Sequence, residues 1–118
     1  MINYLATNIK VVNLWSKTTT MLKETTQNAN GTSFHNTTIY TNVGKLKELF
    51  PNSYSESNDG ADKSNYDFVL ENDNGDVITI YDWKEYRPID DDEKIEFHIG
   101  GMNVRITENA KKDLLEMI

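Results

Sequence analysis

Two histidines, His35 and His98, are the only side chains in this chain of 118 residues whose ordinary pKa lies near neutrality. An acid–base catalyst could pair them with Asp82 or Glu85, yet their spacing forms no recognised catalytic set. Two histidines with carboxylates could also ligate a metal, but HxxxH, HxH and HExxH spacings are absent. Each imidazole is therefore expected to act as a hydrogen-bonding group at a sheet surface, with no cofactor and no turnover. A different chemistry is written in Tyr81-Asp82-Trp83-Lys84. An indole beside a cation suits a nucleotide-like ligand, because the ring stacks on a base while the lysine meets phosphate. The competing reading sends both rings into the core. Residue chemistry favours that for Tyr81 and leaves Trp83 open. Gly100-Gly101 could let backbone amides approach a phosphate, or could simply turn the chain toward its last helix.

The stretch from Asn65 to Gly101 must position these groups. Asn74-Gly75 lies between two runs of β-branched and aromatic residues, which predicts a hairpin closed by a two-residue type I′ turn. On one side Tyr66, Phe68 and Leu70 alternate with Asp67 and Val69. On the other, Val77, Thr79 and Tyr81 share one face while Ile78, Ile80 and Asp82 share the opposite one. Apolar residues on both faces predict a central strand covered on each side. In the next strand Ile95, Phe97 and Ile99 point one way, so His98 should sit with Glu96 on a half-exposed face.

Upstream, Thr32 to Phe34 and Thr37 to Tyr40 read as two short β-prone pieces flanking His35-Asn36. A short helix follows from Val43 to Phe50, capped by Thr41 or Asn42 and ended by Pro51. Residues 52–64 are almost wholly polar and read as a surface loop. Pro88 and the run Asp90 to Glu93 predict a second, solvated loop, and consecutive aspartates lack the spaced geometry of a calcium loop. Gly100-Gly101 is expected to break the third strand. Thr107 is expected to cap a final helix whose inward stripe is Ala110, Leu114 and Met117 or Ile118. These elements add up to an α+β domain over residues 31–118, a three- to four-stranded antiparallel sheet with two helices packed on one face. Residues 1–30 read as an N-terminal extension: Ile2, Leu5, Ile9 and Val12 fit a helix, while Ile9 to Trp15 leans toward strand.

Composition narrows the function classes. There are no cysteines, which removes disulfides, cysteine zinc sites and thiol catalysis. Nineteen acids against 12 bases give a formal charge of −7. Direct DNA binding is not expected, because affinity for a phosphate backbone comes largely from lysine and arginine displacing counterions. Met1 leads into mixed polar and apolar residues with no basic start and no long apolar run, so the expectation is a soluble protein with no membrane partner, intracellular to the cell that makes it.

Several short motifs, taken together, resemble a family of small, mostly uncharacterised bacteriophage proteins. They are Gly31-Thr32-Ser33-Phe34, the helix ending LKELFP, Asp62-Lys63, Ile80-Tyr81-Asp82-Trp83-Lys84 and Phe97-His98-Ile99-Gly100-Gly101. Members read approximately GTSF, FGEP, DK, IYNWK and WHIGG in that order, and the resemblance spans Gly31 to Gly101. His35 stands where the pattern has Gln, Asp82 where it has Asn, and Phe97 where it has Trp. The resemblance implies a phage accessory protein of the size of known inhibitors of bacterial immunity, including oligomeric proteins that sequester nucleotide second messengers.

On that footing the expected function is counter-defence in the host cytoplasm. The protein would bind a nucleotide-derived immune signal without turning it over, as a homo-oligomer. Trp83 would stack on the ligand; Lys84, with Lys63 or Arg87, would meet phosphate. His35 and His98 would hydrogen-bond, and the amides of Gly100 and Gly101 would line the pocket. A rival expectation is an acidic inhibitor of a host immune protein or nuclease, acting through Asp90 to Glu93 and Ser55 to Asp62. A third is a nucleotide-processing enzyme using His35 or His98.

Overall fold

The computed structural model describes residues 22–118, and the predicted alternation becomes a six-stranded antiparallel sheet with two helices. In chain order the elements are β1 (Leu22–Glu24), β2 (Ser33–Thr41), α1 (Val43–Leu49), β3 (Tyr54–Glu56), β4 (Tyr66–Asn72), β5 (Val77–Asp82), β6 (Ile95–Gly101) and α2 (Val104–Met117). The sheet order is β1-β4-β5-β6-β2, with β3 also on β4. β1 pairs with the Leu70–Asn72 end of β4 and β3 with its Tyr66–Phe68 end, so two three-residue strands share that edge. The α+β class is as read from the sequence, and the expected three or four strands are too few. β1 and β3 are too short to show any periodicity, and β3 lies inside the polar run read as loop. The reading of Ile9 to Trp15 lies outside the described residues.

One face of the sheet is the core. Ile39, Phe68, Leu70, Ile78, Ile80, Phe97 and Ile99 are buried there with Leu22 of β1, Val43 and Leu46 of α1, and Ala110 and Leu114 of α2. Burying each such large side chain contributes about 1.5–3 kcal/mol. The helix α2 starts one turn earlier than predicted. Asn103 is its N-cap, with Oδ1 accepting from the amide of Ile106. Thr107 instead lies buried in the first turn, its hydroxyl 2.7 Å from that of Thr37 on β2. Asn42 caps α1 through the amide of Lys45, as expected.

The β4–β5 hairpin forms at Asn74-Gly75, but its loop has three residues rather than two. The Gly75 amide donates to the Asn72 carbonyl and the Asn72 amide to the Asp76 carbonyl, with Gly75 at φ +81°. Asn72 accounts for the difference, since its Oδ1 accepts from the amides of Asn74 and Asp76 and closes a wider turn. The glycine pair of β6 is also unlike the expectation. The strand runs through Gly101, and a Cβ at that position would press on Ile106 and Thr107 at 3.1 Å, so the glycine admits α2 close to the sheet.

β5 is central but, among the described residues, not covered on both sides. Its Ile78, Ile80 and Asp82 are buried, whereas Val77, Thr79 and Tyr81 are only half-buried. No helix lies over that second face among the described residues, and His98 is on it, opposite Tyr81.

Candidate functional site: an aromatic platform on the open sheet face

Four rings gather on the open face. His98 of β6 lies between Phe34 of β2, stacked at 3.9 Å with 12° between planes, and Trp83, stacked at 5.8 Å and 27°. Tyr81 meets His98 edge-on at 5.4 Å and Trp83 at 5.9 Å. Phe34 reaches His98 because of the ladder. It stands opposite Gly100, two residues along β6 on the same face, where no side chain blocks its path. A bulge between Phe34 and Thr37, with Asn36 at φ +67°, joins the two β-prone pieces into one strand and sets this register.

Trp83 is 39% exposed, so part of the indole meets solvent. The ammonium of Lys63 lies 5.8 Å and that of Lys84 5.6 Å from its ring centroid. Neither lysine makes an ion pair among the described residues. Their loops are tied together by the Lys84 amide, which donates to the Lys63 carbonyl at 2.6 Å. Lys84 and Tyr86 hold left-handed backbone at φ +57° and +52°, a conformation that costs non-glycine residues about 1 kcal/mol or more.

A buried polar network holds that conformation. Asp82 is wholly buried and accepts from the amides of Asn65 and Tyr66 and from Asn65 Nδ2, at 2.8, 2.9 and 3.0 Å. Asn65 also donates to the Arg87 carbonyl and accepts from the Gly60 amide. Asn58 pairs with the backbone of Ile89 as a strand would, accepting its amide at 2.8 Å and donating to its carbonyl at 3.1 Å. The loops before β4 and after β5 are thus laced into one support. Asp82 is committed to that support and does not face either histidine.

The structure brings together Trp83, His98, Lys63 and Lys84 from the residues singled out in the sequence. Gly100 sits beside the cluster, between Phe34 and Thr79 in the ladder, and a Cβ there would overlap the Thr79 hydroxyl. Three others are placed elsewhere. His35 Nε2 is 3.1 Å from the Gly101 carbonyl and 3.2 Å from Ser33 Oγ, away from the ring stack. Arg87 is held by Glu93 and Glu85. Gly101 turns its open side to α2. The sequence reading missed Phe34 and Asp67, although the parity of Asp67 with Val69 on β4 already placed it on the open face.

Burial between the rings lowers the pKa of His98 below its ordinary value, against a smaller opposing pull from Glu96. The neutral imidazole is thereby favoured, and it makes no hydrogen bond among the described residues. Burial likewise raises Asp67, with the Ser64 hydroxyl opposing. Beside Trp83 a pocket of about 280 Å³ is lined by Ala29, Thr32, Ser33, Ser64, Asp67, Thr79 and Tyr81. Through Ser64 and Asp67 it adjoins a polar hollow of about 500 Å³ bounded by Ser55 to Ser57 and Asp62 to Asn65. Neither the models of protein families, nor the curated proteins, nor the solved structures contain a match to this chain.

Proposed function

We propose that this protein binds a nucleotide-like small molecule on the open sheet face without turning it over, and that it serves a bacteriophage by sequestering a nucleotide-derived immune signal in the host cytoplasm. One observation carries the reading. In a chain of net charge −7, an exposed indole is flanked by two ammonium groups within 6 Å that pair with no carboxylate among the described residues. A base stacked on that ring would contribute about 1–3 kcal/mol, with the lysines set to meet its phosphates.

Other features support binding over catalysis. His98 is held between rings with its proton affinity lowered, His35 is engaged by a backbone carbonyl, and Asp82 is turned into the loop support. Of the acidic surface required by the protein-inhibitor reading, Asp91 pairs with Lys47 and Glu93 with Arg87, which favours the small-molecule reading. The phage setting is supported by the resemblance of the Gly31–Phe34, Ile80–Lys84 and Phe97–Gly101 motifs to small phage proteins.

Homo-oligomerisation is part of the proposal, and the two edges that the sheet presents among the described residues support it. The β1/β3 edge is short and carries Lys23, Glu24 and Glu56, whereas β2 offers nine residues without one charged side chain. A long uncharged edge is a template for pairing with another strand.

The test of ligand binding is calorimetry with cyclic, linear and ADP-ribose-type nucleotides against the wild type and Trp83→Ala. At least one nucleotide is expected to release heat with the wild type and to bind Trp83→Ala about 10-fold or more weakly. Silence across the panel rejects the reading.

A further inference from the structure

The pocket beside Trp83 contains a group that the stacking and phosphate contacts do not use. Asp67 stands on the open face of β4, directly opposite Tyr81, with Thr79 on the same face of β5. Its Oδ2 accepts from Ser64 Oγ at 2.9 Å, and Oδ1 has no partner among the described residues. No cation pairs with it there either, since Lys63 and Lys84 are gathered at the indole. A half-buried carboxylate with a spare oxygen and no countercharge repels phosphate and calls for neutral donors.

Resting on the nucleotide reading above, we propose that this pocket seats the ribose of a ribonucleotide, whose 2′- and 3′-hydroxyls donate to Asp67. Size agrees with a partial occupant. About 280 Å³ is below the range of roughly 300–1,000 Å³ usual for a whole ligand, so the pocket takes one segment while the rest lies over Trp83. The chemistry of the walls agrees as well. Tyr81 offers an apolar surface, the hydroxyls of Thr79, Ser33 and Ser64 can exchange hydrogen bonds with a sugar, and an acidic side chain on a ribose hydroxyl is a general means of reading that sugar. Burial raises the proton affinity of Asp67, as suits a group waiting for a donor.

Titration of the Trp83 fluorescence with ADP and with 2′-deoxy-ADP tests the inference on the full chain. ADP is expected to bind about 10-fold or more tightly than the deoxy compound, the usual scale for a hydrogen bond to a charged group. Asp67→Asn, which keeps the shape of the side chain, is expected to bring ADP down to the level of 2′-deoxy-ADP. Equal affinities in the wild type overturn the ribose assignment and leave the nucleotide reading standing. So does discrimination that survives in Asp67→Asn, or a variant that changes preference between adenine and guanine nucleotides but not between the two sugars. Failure of both probes and of every nucleotide in the calorimetric panel overturns the two readings together. The wild-type comparison needs no variant to fold.

Discussion

The imidazole of His98 lies flat against the ring of Phe34, centroids 3.9 Å apart, and this contact joins β6 to the far end of β2 across the open face. Trp83 stacks on the same imidazole at 5.8 Å, so the half-buried ring is in contact with two aromatic neighbours. A neutral imidazole loses little there, whereas an imidazolium would lose hydration.

The pH dependence follows in sign. Burial lowers the folded-state pKa of His98 below its unfolded value of about 6.5. Between the two values the unfolded chain binds the extra proton and the folded chain does not, so the His98 contribution is full above about pH 6.5 and is lost as pH falls below it. The carboxylates Glu24, Glu71 and Glu93, whose pKa values are lowered by hydrogen bonds, act only in more acidic solution. The melting temperature is expected to fall between pH 7 and pH 5.5, and to fall less in His98→Gln. An NMR titration placing the His98 midpoint at or above 6.5 would contradict this account.

Asp82 gives a second prediction, on stability rather than titration. Its two oxygens take three hydrogen bonds from Asn65 and Tyr66 at full burial. In Asp82→Asn one oxygen becomes an NH₂ group. Asn65 cannot turn its own amide to compensate, because its Oδ1 accepts from Gly60 and its Nδ2 donates to the Arg87 carbonyl. Two buried donors then face each other, and the expected loss is about 1–3 kcal/mol in urea unfolding with an unchanged slope. A variant as stable as the wild type would mean that the loops flanking Trp83 are supported in some other way.

How far the sequence disclosed this arrangement depends on what each residue answers to. Phe68, Ile80, Phe97 and Ile99 obey a period of two, and their faces were legible because one side of the sheet is a core. His98 was placed correctly by the same parity. Asp82 obeyed the parity as well, yet nothing local to Tyr81-Asp82-Trp83 reveals that its partners lie 16 and 17 positions upstream. The stack of Phe34 on His98 depends on a bulge, on the bare Gly100 and on strand pairing across more than sixty residues, none of which a periodicity contains. The final cap was misplaced because Asn103 and Thr107 are both competent caps, and only burial of the threonine against Thr37 decides between them.

The last prediction concerns β2 as the joint of the proposed oligomer. Along Thr37 to Thr41 the strand is regular, uncharged and rich in β-branched residues, and Tyr40 stands 64% exposed on it. Two copies meeting antiparallel there would make an isologous pair and extend the sheet across both protomers. A lysine placed at Tyr40 would face its counterpart near the two-fold axis, and like charges on adjacent strands oppose pairing. Light scattering on the eluting protein should give at least twice the monomer mass for the wild type. Tyr40→Lys should move the population to monomer without altering the circular dichroism spectrum, because an exposed side chain on the outer strand supports no core contact. A wild type that remains monomeric at high micromolar concentration, or a Tyr40→Lys variant with unchanged mass, would show that this edge is not the joint.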